Sequence, residues 1–210
     1  MNEIASSRPR QVLPEAAPIP YLTLLLVSSA VVVALFPPCA PWLIYDRSAI
    51  LSGQIWRMFT CHWVHFSTRH LISDVIPLAI ISGIIETRCL PGFGWLCALA
   101  PWTISAAVLV FAPQMQYCAG LSGLAVAAIT FLALHGLSDS PPWRRLCAAT
   151  LIILALKTSY ELISKNSLFG TFNHTPVFVS ASSHIAGALA ALLLFSTFSS
   201  KGLGLRRCLS

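Results

Sequence analysis

The chain has 210 residues, of which 56% are hydrophobic and only 10% charged. A soluble domain carries roughly 25% charged residues, so a mean hydropathy of +0.77 places this chain among polytopic membrane proteins, with room for about six spans and short loops. The net charge of +6 sits on dispersed or span-end residues, with no aromatic-interleaved basic patch; this argues for a lipid bilayer and against nucleic acid as the partner surface.

The chain opens with a polar tail, residues 1–18, carrying Arg8 and Arg10. A first span follows over Ile19 to Phe36. It reads as retained, because Pro37-Pro38-Cys39-Ala40-Pro41 offers no small-x-small cleavage site. Residues 37–67 form a long connection rich in Trp42, Tyr45, Trp56 and Trp63, side chains that favour the headgroup zone, so the connection is expected to lie half-immersed at the outer interface. The second span is predicted over Thr68–Ile85 and the third over Trp95–Ala112. The fourth runs from Ser122 to His135-Gly136, short against a span of about 20 residues, which suits a start sunk below the membrane surface.

Pro141-Pro142-Trp143-Arg144-Arg145 makes a polar break. The fifth span then extends to about Ile163, with Lys157 and Glu161 four apart and expected to pair along the helix. An irregular loop is predicted over 164–179, a sixth span over Ser180–Phe198, and a basic tail over 201–210. The domain plan is therefore a tail (1–18), an all-α six-span membrane domain (19–200) and a second tail (201–210). Arg8, Arg10, Arg88, Arg144, Arg145, Lys201, Arg206 and Arg207 outnumber Arg47, Arg57, Arg69, Lys157 and Lys165 on the other side, so both termini are expected in the cytoplasm.

Three polar clusters share one position in this plan. His70-Leu71-Ile72-Ser73-Asp74 opens the second span, Gly120-Leu121-Ser122-Gly123 the fourth, and Ser183-His184-Ile185-Ala186-Gly187 the sixth. Alternate helices enter the membrane from the same side, so the three starts lie at similar depth and can converge. Ser183, Gly187 and Ala191 form one small-residue row and Ala119, Gly123 and Ala127 another, which lets two membrane helices approach closely. Close approach is what a hydrogen bond of about 3 Å from Ser122 to His184 demands.

These residues resemble the rhomboid intramembrane serine proteases. Gly120-Leu121-Ser122-Gly123, His184-x-x-Gly187 and His65-x4-His70-x3-Asp74 carry the likeness. Gly53-Gln54-Ile55-Trp56-Arg57 is similar to that family's Trp-Arg loop, and Gly83-Ile84-Ile85-Glu86 to the glycine-and-glutamate ending of its second helix. The likeness spans roughly 50–195 and implies a six-transmembrane-helix rhomboid-like bundle. The compact size points to the rhombosortase branch, which removes C-terminal Gly-Gly, hydrophobic-helix, basic-tail sorting signals. The resemblance implies a Ser122–His184 dyad without a third carboxylate, and an oxyanion held by the Ser122 backbone N–H and His70. Asp74, Gly120 and Gly123 support the site, and Gly187 packs helices. The implied partner is a membrane-anchored protein with a C-terminal transmembrane helix. The implied location is a bacterial inner membrane, with the active site opening to the periplasmic side.

Other readings stand beside this one. A GxSG alone is common in membrane helices, where glycine and serine are packing residues, so a non-catalytic relative that binds or escorts transmembrane helices is the alternative. A small transporter would need repeats or paired broken helices that the sequence lacks. Seven cysteines without CxxC pairs make neither a disulfide framework nor a zinc knuckle, a single Cys61–Cys118 bridge remaining open. The spacings of His62, His65 and His70 do not give the paired face of a helical zinc motif, so neither metal nor cofactor is expected. Two positions depart from the family pattern. Asp74 stands where asparagine is usual, and either donates as a neutral acid or orients His70. Val126 stands where an aromatic or histidine often packs on the base.

Overall fold

The computed structural model describes residues 18–164 and 181–200. Both expected tails (all but Pro18), nearly all of the loop expected over 164–179, and with them Lys165 and His174, lie outside these residues. In chain order the helices are α1 (Tyr21–Leu35), α2 (Ala40–Leu43), α3 (Arg47–Leu51), α4 (Arg57–Thr60), α5 (Thr68–Thr87), α6 (Phe93–Phe111), α7 (Ser122–Gly136), α8 (Pro141–Ser164) and α9 (Ala181–Ser200). Helices α5, α6, α8 and α9 are each long and apolar enough to cross a membrane, as an integral membrane bundle requires.

Helix α7 is different. Its 15 residues reach about 22 Å, short of a hydrocarbon core of about 30 Å. Eleven of them are buried, and the helix touches α5, α6, α8 and α9. It is hydrophobic all round because it is the centre of the bundle rather than one of its walls. Its closest neighbour is α9. A Cβ placed on Gly187 would collide with the carbonyl oxygen of Gly123, and one on Gly123 would lie 3.3 Å from the Ser183 carbonyl oxygen. The two small-residue rows read from the sequence therefore face each other, with Ala127 and Ala191 fully buried along the same seam.

Helix α1 packs on α5 and has no side-chain cap of its own behind Pro20. Glu86, near the end of α5, supplies one: its carboxylate accepts from Leu22 N at 2.9 Å, and from Thr23 N and Thr23 Oγ1 at 2.6 Å each. A carboxylate there satisfies N–H groups that a helix start leaves unpaired, and it meets the positive end of the helix dipole.

The connection over 37–67 is more ordered than the sequence predicts. The chain bends by 94° between α1 and the segment Pro37–Leu43, where the consecutive prolines prevent α1 from continuing. Short helices and a two-residue strand, β1 (Tyr45–Asp46), then follow. Arg57 is buried at their centre and donates to Gln54 Oε1 at 2.8 Å, Pro41 O at 2.8 Å and Ile44 O at 2.9 Å. Trp42, Leu51, Ile55 and Trp56 stay exposed, as a segment lying along an interface would leave them. Strand β1 pairs antiparallel with β2 (Tyr117–Cys118), Tyr45 opposite Cys118. This ribbon ties the connection to the turn that leads into Ser122. The thiols of Cys61 and Cys118 are free, so the bridge left open above is not made.

Replacing Glu86 with alanine strips three hydrogen bonds to a charged acceptor, each worth roughly 1.5–3 kcal/mol. The expected result is a thermal unfolding midpoint in detergent several degrees lower than wild type. An unchanged midpoint would show that the α1 cap is dispensable.

Candidate active site

The three polar helix starts meet at one end of the bundle. Ser122 is the first residue of α7, so its backbone N–H belongs to the set that finds no acceptor within the helix. Gly120, two residues earlier, has φ +111°, a conformation that side-chain-bearing residues rarely adopt. Space adds a second reason for glycine: a Cβ there would sit 2.7 Å from His70 Nε2 and 2.8 Å from Asp74 Oδ2. Gly120 thus brings backbone directly against the His70–Asp74 pair of α5.

His184, on the first turn of α9, is 2% exposed, and its Nε2 lies 3.3 Å from Ser122 Oγ. His70 is fixed by the start of its own helix. Its backbone N–H donates to the capping Ser67 Oγ at 3.1 Å, and its ring stacks on Phe66 with centroids 5.9 Å apart. Nδ1 accepts from Phe66 N at 3.4 Å, which leaves the proton of the neutral ring on Nε2. That Nε2–H points at Gly120 and Asp74.

Asp74 Oδ2 is an acceptor. It takes the Leu121 backbone N–H at 2.8 Å and lies 3.3 Å from His70 Nε2 and 3.4 Å from His65 Nε2. Both roles read from the sequence place Asp74 beside His70, where it lies, and the structure adds a contact the sequence does not reveal: Asp74 pins the peptide immediately before Ser122. Among the described residues no group of three or more His, Cys, Asp or Glu side chains is arranged to hold a metal ion.

A cavity of about 30 Å³ adjoins Ser122, lined by Tyr45, His62, His70, Ser105 and Gly120 among others. That is space for a water molecule. His62 forms its floor, with Nε2 3.0 Å from Pro101 O and Nδ1 3.4 Å from Gly120 O. Burial lowers the pKa of His62, against the opposing pull of the carbonyls beside its ring. Burial also pushes the Cys61 and Cys118 thiols beside the cavity up to about 12, so neither supplies a thiolate nucleophile at neutral pH.

The largest difference from the sequence reading lies on α8. Glu161 is 4% exposed, and its Oε2 lies 2.9 Å from His184 Nδ1, the ring nitrogen turned away from Ser122. Lys157 Nζ sits 3.0 Å from the same carboxylate and 3.2 Å from Nδ1. The resemblance implied no third carboxylate at the site, yet the structure places one within hydrogen-bond distance of His184. The expected Lys157–Glu161 pair is present, but it faces the base. The signal available was that both charges lie within a membrane span, where ionisable residues turn inward. Val126, the other departure, is simply buried in the core.

Two outcomes test this geometry. Asp74→Asn retains an oxygen able to accept from Leu121 N and should keep the wild-type unfolding midpoint, whereas Asp74→Leu leaves a buried N–H unpaired, at a cost of roughly 1–3 kcal/mol, and should lower it by several degrees; an unchanged midpoint in the leucine variant would contradict the pinning role. His62 gives a pH dependence. Its folded pKa is depressed below an unfolded value near 6.5, so its stabilising contribution is complete above that pH and is lost as pH falls. Thermal stability should decline on acidification below about 6.5, and less steeply in His62→Phe.

The Rhomboid domain family matches residues 52–201, a stretch that contains His70, Asp74, Gly120, Ser122, Glu161 and His184. The rhomboid protease GlpG of Salmonella typhi is 27% identical over 157 residues, covering 73% of this chain and 52% of that protein. The same figures hold for GlpG of Salmonella newport (strain SL254). The chain spans about half the length of the curated relatives it matches. With the family match covering well over half of the sequence, the chain belongs to the rhomboid family.

Proposed function

We propose that this protein is an intramembrane serine endopeptidase in which Ser122 is the nucleophile and His184 the base. The observation that carries the reading is the 3.3 Å approach of His184 Nε2 to Ser122 Oγ, at the buried meeting point of two helix starts. Ser122 Oγ bonds to the scissile carbonyl carbon as its proton passes to His184 Nε2. Nε2–H then protonates the leaving amine, and the C–N bond breaks. Water adds to the acyl-enzyme with His184 again as base, the ester bond breaks, and the proton returns to Ser122. The developing oxyanion takes the Ser122 backbone N–H, joined by the Nε2–H of His70 as that ring turns from Asp74 toward it. Asp74, Gly120 and Gly123 hold these donors in place, and Gly187 brings α9 close enough for the base to reach.

The substrate in this reading is a membrane-anchored protein whose C-terminal helix carries a Gly-Gly segment ahead of it, as in the rhombosortase branch. The narrow space beside Ser122 supports that choice. The adjoining cavity of about 30 Å³ favours a residue without a side chain at the scissile bond. The domain sits in a bacterial inner membrane with both termini cytoplasmic, and the site opens outward.

Co-expression with a Gly-Gly-tailed substrate tests both levels. Ser122→Ala and His184→Ala are each expected to leave the substrate uncleaved on a gel; cleavage at the wild-type level by either would remove the proposed chemistry. Replacing the Gly-Gly segment by leucines is expected to stop processing by the wild type. If processing continued unchanged, the protease reading would stand and the substrate class would fall.

A further inference from the structure

We infer that Glu161 is a positioning residue for His184 that selects the ring tautomer able to act as base, so that the site works as a Ser122–His184–Glu161 relay held by α8. This rests on the serine-protease reading above and adds to it a residue on a different helix.

The argument turns on what His184 Nδ1 can do. In a neutral imidazole each ring nitrogen is either a donor or an acceptor. Two groups approach Nδ1 with opposite demands. Glu161 Oε2, at 2.9 Å, accepts and therefore requires Nδ1–H. The Lys157 ammonium, at 3.2 Å, only donates and would require a bare Nδ1. The first arrangement leaves a lone pair on Nε2, 3.3 Å from Ser122 Oγ, ready to take the hydroxyl proton. The second puts the proton on Nε2 and leaves Ser122 without a base. Glu161 resolves the conflict on both sides, because Lys157 Nζ lies 3.0 Å from each of its two oxygens. The ammonium is thereby directed to the carboxylate and away from the ring. No proton passes to Glu161 at any step; it holds Nδ1–H and stabilises the imidazolium formed when Nε2 takes the Ser122 proton.

The packing of α8 gives this contact a second consequence. Only Cys147 and Glu161 are buried along its 24 residues. Cys147, with Trp143 beside it, seats against Gly136, where a Cβ would collide with the Cys147 sulfur. The other anchor, fourteen residues on, is the Glu161–His184 contact. Docking of the outer half of α8 and selection of the productive tautomer are therefore one event. A substrate helix that displaced α8 without restoring this contact would meet an inactive serine.

The test uses the full chain in lipid nanodiscs. Nitrogen NMR on histidine-labelled protein at mildly alkaline pH, with the His184 signal assigned by its loss in His184→Gln, is expected to show Nδ1–H in wild type and Nε2–H in Glu161→Gln. In parallel, Glu161→Gln should lower kcat at least about 10²-fold, towards the roughly 10⁴-fold that follows a tautomer error in soluble triads, with KM changed less than about twofold; Glu161→Asp should restore part of the rate. Wild-type His184 protonated on Nε2, or wild-type turnover by Glu161→Gln, would overturn the inference. Should Glu161→Gln not fold, the wild-type tautomer alone decides. The underlying reading fails separately: cleavage by Ser122→Ala would defeat the protease assignment, whatever the tautomer.

Discussion

The site depends on one backbone contact between two helices. Gly187 of α9 lies against the carbonyl oxygen of Gly123 of α7, where no side chain fits. Gly123 follows Ser122 and Gly187 lies one turn beyond His184, so this contact fixes the separation of Ser122 and His184 before either makes a hydrogen bond. In a membrane no hydrophobic force draws helices together, since lipid tails are as apolar as leucine; close van der Waals packing of small residues takes its place. A methyl group at Gly187 would push apart the pair that the helices are arranged to bring together.

Around that seam, each remaining part corrects a weakness of the central helix. Helix α7 is too short to reach both membrane surfaces, so other helices enclose it. Its start is an irregular turn at membrane depth, tolerable only because its polar groups are satisfied by protein. Asp74 takes the Leu121 N–H, Cys61 O receives the Gly120 N–H at 3.3 Å, and His62 faces the Gly120 carbonyl. The Arg57-centred connection and the short β1–β2 ribbon hold this turn from outside.

Much of this was legible in the sequence because it followed from parity and spacing. Polar clusters at the starts of alternate helices must lie at one end of a bundle, which brings Ser122, His184 and His70 together without further information, and the glycine rows announced the α7–α9 seam. Three features were hidden. Two-residue strands have no periodicity, so Tyr45–Asp46 and Tyr117–Cys118 read as loop. The helices within 37–67 are single turns whose order comes from Arg57 bonding to distant carbonyls. Glu161 was concealed by Lys157: an i, i+4 pair explains both charges locally, and nothing in the spacing says that the pair looks inward at a histidine 23 residues away.

The sparse burial of α8 has a consequence for how the bilayer bears on the site. Ile152, Ile153, Leu156, Leu162 and Ile163 turn outward, so acyl chains, rather than protein, are the main neighbours of this helix. Its two buried residues, Cys147 and Glu161, sit beside Gly136 and His184. On the relay proposed above, whatever shifts α8 against the bundle, bilayer thickness included, shifts the His184 tautomer with it.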